Sequence, residues 1–169
     1  ETGTDYTANL KQGAKGLRIA LSPGLGHVAL DPEVEAAVRA AAQTFSDLGA
    51  TVVEAKPAIG NPIEPYYVLV RLAARAIVDS VPASRRQLLE GVLRKDAADA
   101  DRHSGMDVKA AEMEQRRLGG VMASFFEDHD ILLTATTAVP PFAVGIDDPN
   151  GGKRTDLPWT GTLFPFNFT

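Results

Sequence analysis

Cysteine is absent from all 169 residues, which removes disulfides, thiolate nucleophiles and cysteine-ligated zinc together. That absence narrows the chemistry more than the location. Positive charge is not in excess either. The chain has 17 Lys and Arg against 22 Asp and Glu, a formal net charge of −5, and the basic residues are interspersed with acids without forming a stripe that could neutralise phosphates. Nucleic-acid binding is disfavoured. Long apolar runs are missing as well: no stretch approaches the roughly 18–20 uninterrupted apolar residues that cross a bilayer, and residues 1–15 lack the apolar core of a secretory signal. The expectation is a cytoplasmic protein that does not bind membranes.

What is present has the balance of a globular domain, with 44% apolar and 23% charged residues. No internal repeat, low-complexity tract or long linker divides it, so residues 1–169 read as a single segment. Its start, Glu1-Thr2-Gly3-Thr4, is polar and has no initiator methionine, whereas Leu163–Thr169 places three phenylalanines within seven residues. Exposing so apolar an end would forfeit roughly 1.5–3 kcal/mol per large side chain. The segment is therefore expected to be truncated at both ends of a larger domain, and its partners to include the remainder of that parent chain.

Leu17–Ser22, bounded by Gly16 and Pro23, has the length and flanks of a buried strand. A helix follows: Asp31 caps it, Pro32 fits its first position, Glu33 and Glu35 suit its positive end, and Gly49 stops it. Its buried stripe is expected at Val34, Val38, Ala41, Phe45 and Leu48. Thr51–Ala55 then reads as a second strand, parallel to the first across a crossover. Tyr66–Val81 reads as a helix packing through Val70, Ala73, Ala74, Ile77 and Val81, and Ser84–Leu93 as another. Asp96–His103 reads as a solvated helix end and loop. Asp107–Glu127 has the pattern of a long amphipathic helix packing through Ala111, Leu118, Val121, Met122 and Phe125, with Glu112 and Arg116 paired across one turn. Ile131–Thr136 has strand character, Pro140-Pro141 forces an extended exit, and residues 145–156 read as a mobile surface loop. The fold class is α/β, a mixed sheet with a parallel β-α-β unit flanked by helices.

Gly24-Leu-Gly26-His-Val-Ala29 after a strand matches the loose dinucleotide fingerprint, with Glu54 as a candidate ribose ligand. Three features argue against it. The helix begins only at Asp31–Pro32 instead of within the glycine turn, an acidic cap repels phosphate, and Glu54 lies beyond the usual spacing of roughly 20 residues. The acids Asp96, Asp99 and Asp101 with His103 have the look of a metal cluster, but a calcium loop counted from Asp99 has Ser104 where glycine belongs and Ala110 where a bidentate glutamate belongs. No metal and no cofactor are expected. His27, His103 and His129 read as surface histidines, Gly-x-Ser-x-Gly occurs nowhere, and Arg116 and Arg117 read as structural cations on a helix.

Three stretches in order resemble one family, the amidase-signature enzymes. The first is Gly16-Leu-Arg-Ile-Ala-Leu-Ser-Pro23 with Val28–Arg39 and Leu48–Glu54. The second is Phe125-Phe126-Glu127 leading through His129-Asp130 into Ile131–Pro140. The third is Trp159–Thr169, in which Pro165-Phe-Asn-Phe-Thr169 is similar to the segment before the family's last Gly-Asn-Pro-Ala core strand. The resemblance implies a partial amidase-signature fold and hydrolysis of a small carboxamide by a serine, a neighbouring cis-serine and a lysine. In the family those residues lie upstream of this segment, so none is assigned here and the segment alone is expected to be inactive. It places Thr136, Thr137, Trp159, Phe166 and Asn167 on the substrate-pocket wall. Ala135 departs from the commoner Thr-Pro-Thr pattern. Thr160 stands near a position that looks acidic in the amidase-type component of tRNA-dependent amidotransferases, which favours a stand-alone amidase. A homodimer through Tyr66–Leu93 is compatible with the pattern. The alternatives are a non-catalytic interaction domain docking through the aromatic C-terminal edge, and a nucleotide-binding domain at Gly24–Ala29.

Overall fold

The computed structural model describes residues 5, 7–8, 11–146, 149 and 159–169. In chain order the elements are β1 (Arg18–Leu21), α1 (Pro32–Asp47), β2 (Thr51–Glu54), α2 (Ile63–Ser80), a 3-10 helix (Ala83–Leu88), α3 (Gly91–Asp99), a 3-10 turn (Ala100–Arg102), α4 (Gly105–Asp128), β3 (Ile131–Leu133) and α5 (Phe164–Phe168). They group into two compact units: the residues up to Ala58 with Met122–Leu163, and Ile59–Val121 with Phe164–Thr169. Among the described residues no helix is long and apolar enough to cross a membrane. The loop expected at 145–156 lies mostly outside the described residues.

In the first unit the described strands form one parallel sheet in the order β2-β1-β3. β1 is central, with Ile19 facing Val52 on one side and Ile131 on the other, and Ile19 and Ala20 are fully buried. α1 forms from the local signals in its sequence. Asp31 Oδ1 accepts the Glu33 amide at 2.9 Å, Pro32 occupies the first turn, and Gly49, at φ +90°, lets the chain turn out after the last turn. Val34, Val38, Ala41 and Phe45 are half-buried and Ala42 is buried. Leu48 departs from the expected stripe and is 58% exposed, because α1 ends at Asp47 and Leu48 has left the helical register.

β3 is shorter than the sequence predicts. Beyond Leu133 the Thr134 hydroxyl and the Ala135 amide both donate to the Pro23 carbonyl, at 2.9 and 3.0 Å, so the chain turns toward the loop after β1 instead of extending the ladder. Proline has no N–H with which to continue that ladder.

In the second unit α2 starts earlier than Tyr66: Asn61 Oδ1 accepts the Ile63 amide, and Pro65 falls in the first turn, where its missing N–H costs nothing. Its packing face is rotated from the expected one. Arg71 and Ala74 are buried, while Ala73 is exposed and Ile77 is half exposed. The Tyr66 and Tyr67 rings fix this phase by packing on Phe164, at centroid distances of 4.7 and 5.7 Å. The helix expected over Ser84–Leu93 is instead a 3-10 helix, then an extended Leu89–Glu90, then α3. Arg86 holds the 3-10 turn by donating to the Val81 and Asp79 carbonyls. Asp96–His103 is less solvated than expected, since Ala97 and Ala100 are buried and Asp99, 9% exposed, pairs with Arg102 at 2.8 Å.

α4 opens on a reciprocal cap in which the Ser104 amide and hydroxyl donate to Asp107 Oδ2 and the Asp107 amide donates back to Ser104 Oγ. Ala111, Leu118 and Met122 are buried as the pattern requires, and Val121 and Phe125 are half-buried. The Glu112–Arg116 pair does not form; Glu112 accepts from Lys109 and Glu114 takes Arg117, both one turn away.

Candidate functional site

Thr136 and Thr137 stand on the turn that leaves β3, and four hydrogen bonds define that turn. The Thr162 hydroxyl donates to the Thr136 carbonyl at 2.9 Å, and Thr137 Oγ1 donates to the Val139 carbonyl at 3.1 Å. The Ala138 amide donates to the Trp159 carbonyl and its own carbonyl accepts from the Asp31 amide, both at 2.8 Å. Trp159 packs edge-on against Phe142 at 5.3 Å. The structure therefore brings Thr136, Thr137 and Trp159 into one neighbourhood of the first unit.

The turn borders a groove of about 390 Å³ whose opposite wall is the apolar side of α1, with Val34, Val38 and Ala41. Thr137 and Thr162 commit their hydroxyls to carbonyls and so position the backbone. Thr136 is exposed, and its hydroxyl makes no hydrogen bond among the described residues, which leaves it available to a ligand. Thr162 is fully buried and was not marked by any sequence pattern; only its contact with Thr136 reveals its part.

Phe166 and Asn167 belong to α5 in the second unit, where both are exposed. The neighbouring Phe164 and Phe168 are the buried members of that helix, against Tyr66 and Tyr67. The apolar end of the sequence thus divides into two packing rings and one that remains 39% exposed.

The histidines read as surface residues are all half-buried. His27 Nδ1 lies 3.3 Å from the Leu25 carbonyl and its Nε2 is buried without a hydrogen-bond partner. Burial holds its pKa below the ordinary histidine value, partly offset by the Leu25 and Gly161 carbonyls. His103 Nε2 lies 3.2 Å from an Arg71 Nη1 nitrogen. A guanidinium can only donate, so His103 accepts there and carries its proton on Nδ1. Arg71, 6% exposed, also lies over the Tyr67 ring at 5.2 Å. His129 stacks on Phe125 at 4.4 Å and bonds its carbonyl.

No group of three or more His, Asp or Glu side chains stands ready for a metal among the described residues. The acids near His103 are engaged otherwise: Asp99 pairs with Arg102 and Asp101 with Arg75. The glycine loop after β1 does not open a helix, and Glu54 is bonded to Arg39 at 2.7 Å. A second cleft, of about 620 Å³, lies at this end of β1 and β2.

Comparison with known proteins is consistent along the chain. The Amidase family profile matches residues 1–169. An acylamidase of Rhodococcus erythropolis is 34% identical over 145 residues, covering 82% of this chain and 30% of that protein. One component of the glutamyl-tRNA(Gln) amidotransferase of Myxococcus xanthus is 27% identical, covering 86% of this chain and 35% of that protein. The chain thus spans about a third of the length of these relatives. Among solved structures, a bacterial aryl acylamidase of the amidase-signature family superposes with a TM-score of 0.79 at 23% identity, over 98% of this chain and 38% of that one. A 6-aminohexanoate cyclic dimer hydrolase with bound substrate gives 0.74 at 22% identity, over 99% and 39%. At these identities the structural likeness speaks for the fold.

Proposed function

This chain belongs to the amidase family, and from that premise we propose that it is a segment of a hydrolase that cleaves carboxamide C–N bonds through a serine nucleophile carried elsewhere in the protein. The observation that carries the reading is the family match over the full 169 residues, and relatives named acylamidase and amidase support it. In this reading the segment is scaffold and part of the substrate wall, and it turns over no amide alone.

Thr136, Thr137 and Trp159 are proposed as wall residues within the first unit, and Phe166 and Asn167, each taken within the second unit alone, keep a proposed substrate-binding role. The arrangement at Thr136 supports the assignment, because an exposed hydroxyl sits on a turn that buried Thr162 holds rigid beside an apolar groove. The substrate is a small amide. Thr160 favours a stand-alone amidase over a component of an amidotransferase, and a cytoplasmic enzyme able to form a homodimer completes the proposal.

The test compares the full-length protein with residues 1–169 on simple anilides and aliphatic amides, together with active-site labelling by a fluorophosphonate. Turnover and labelling by the full-length protein alone are the expected result. An inert and unlabelled full-length protein would overturn the amidase reading in favour of an interaction domain, and turnover by the 169-residue chain would overturn its dependence on the remainder.

A further inference from the structure

The cleft at the end of β1 and β2 has two features that the amide chemistry does not use. Its volume of about 620 Å³ falls in the range of small-molecule sites, and it opens where parallel strands end, a common place for ligands in α/β folds. Its charged groups are arranged unequally. Arg39 serves two carboxylates, with Nη1 on Glu54 Oε1 at 2.7 Å and Nε and Nη2 on Glu35 Oε1 at 2.9 and 2.8 Å. One cation shared by two anions, each using a single oxygen, leaves a local excess of negative charge and two unused acceptor oxygens on that side.

The opposite pole is Lys56, which has no carboxylate within ion-pair distance among the described residues although Glu54 is only two positions away. Gly26 explains this separation. The Lys56 stem lies directly on it, so that a Cβ there would stand 2.6 Å from Lys56 Cδ and 2.8 Å from Nζ. Gly26 also adopts φ +76°, a conformation that side-chain-bearing residues avoid, and Leu25 before it is held at φ 55°. The loop is thus shaped to seat the lysine at the cleft.

Ser22 provides the third group. It lines the cleft and is 6% exposed, yet its hydroxyl has no hydrogen-bond partner among the described residues. That oxygen is not one of the sealed, unpaired polar atoms among the described residues, so it stays open to the cleft, where it can donate or accept.

We propose that this cleft binds a small zwitterionic amino-carboxylate, with its carboxylate on Lys56 Nζ and Ser22 Oγ and its ammonium on the unused oxygens of Glu35 and Glu54. A simple anion meets only Lys56 and Ser22 and is repelled by the carboxylate side, and a simple amine meets only the carboxylates. A ligand carrying both charges matches both poles, so the site is selective for separated opposite charges. It is independent of amide hydrolysis and stands or falls by binding alone.

The test is calorimetric titration of the full-length protein with glycine, γ-aminobutyrate and 5-aminopentanoate, with butyrate and butylamine as single-charge probes. At least one zwitterion is expected to bind saturably and at least tenfold more tightly than butyrate or butylamine. Lys56→Met and Glu54→Gln are each expected to weaken it tenfold or more, and Ser22→Ala several-fold. Lys56 and Glu54 are exposed, so both variants should keep the wild-type melting temperature within a few degrees, and Lys56→Arg should retain most of the affinity. Absence of saturable binding by all three zwitterions would overturn the proposal. So would unchanged affinity in Lys56→Met, or butyrate binding as tightly as the zwitterions.

Discussion

Asp130 grips Arg18 through both backbone and side chain: its Oδ2 accepts the Arg18 amide at 2.8 Å while its Oδ1 accepts Nη2 at 2.8 Å. Arg18 also donates to the Glu127 carbonyl at the end of α4, so a single residue pins the start of β1 to the approach to β3.

The Arg18 guanidinium and amide lower the Asp130 carboxyl from 3.8 to about 2. A depressed carboxylate stabilises the fold above its unfolded pKa, and that contribution is lost as pH falls through the folded value. Asp130→Asn should therefore melt below wild type at neutral pH, with the difference closing between about pH 4 and about pH 2. A gap that stays constant across that window, in melts followed by circular dichroism, would show that the charge is not what matters.

Thr162→Val should cost about 1–3 kcal/mol, because it leaves the Thr136 carbonyl without its buried donor. Thr162→Ser restores the donor and should recover most of the loss. Urea midpoints of the two variants check this, and equal losses in both would assign Thr162 a packing role only.

His27 acts in the same sense as Asp130 but at higher pH, since both have a pKa lowered in the folded chain. Its pKa is depressed by burial, so between that value and about 6.5 the unfolded chain binds more protons than the folded one. The stability that the neutral ring permits is complete above about pH 6.5 and declines as the solution is acidified. His27→Gln should flatten the stability profile in this range. An unchanged slope would place the dependence on other groups.

Phe168→Ala removes a ring that is 2% exposed and meets Tyr66 edge-on at 6.3 Å. The expected loss is about 3–5 kcal/mol, in line with other buried phenylalanines. Phe166→Ala, on the exposed side of α5, should cost under about 1 kcal/mol in the same measurement.

The parts of this fold that the sequence announces are those whose causes are local. α1 is bounded by Asp31, Pro32 and Gly49, all within a turn of its ends, and β1 and β2 flank it at the expected places. The face of α2 was not legible, because Val70, Ala73 and Ile77 offer a regular apolar stripe and nothing nearby says that Arg71 will be buried instead. His103 and the Tyr67 ring decide that, and His103 is 32 residues away. The end of β3 is set by a proline carbonyl 111 residues distant, and the Thr136 turn by a threonine 26 residues further on. Thr136, Thr137, Trp159, Phe166 and Asn167 came from family resemblance, since no catalytic spacing marks them.

The order of the sheet also bears on the time course of folding. β1 reaches β2 across about 33 residues, yet the Arg18–Asp130 clasp that leads into its other neighbour spans 112. Closing the longer loop costs about 1 kcal/mol more chain entropy, and Ile59–Val121 lies wholly within it. The β1-α1-β2 unit is therefore expected to gain amide protection early in refolding. β3 and the Thr136 turn should be protected last, making the proposed substrate wall the final part of the sheet region to become rigid.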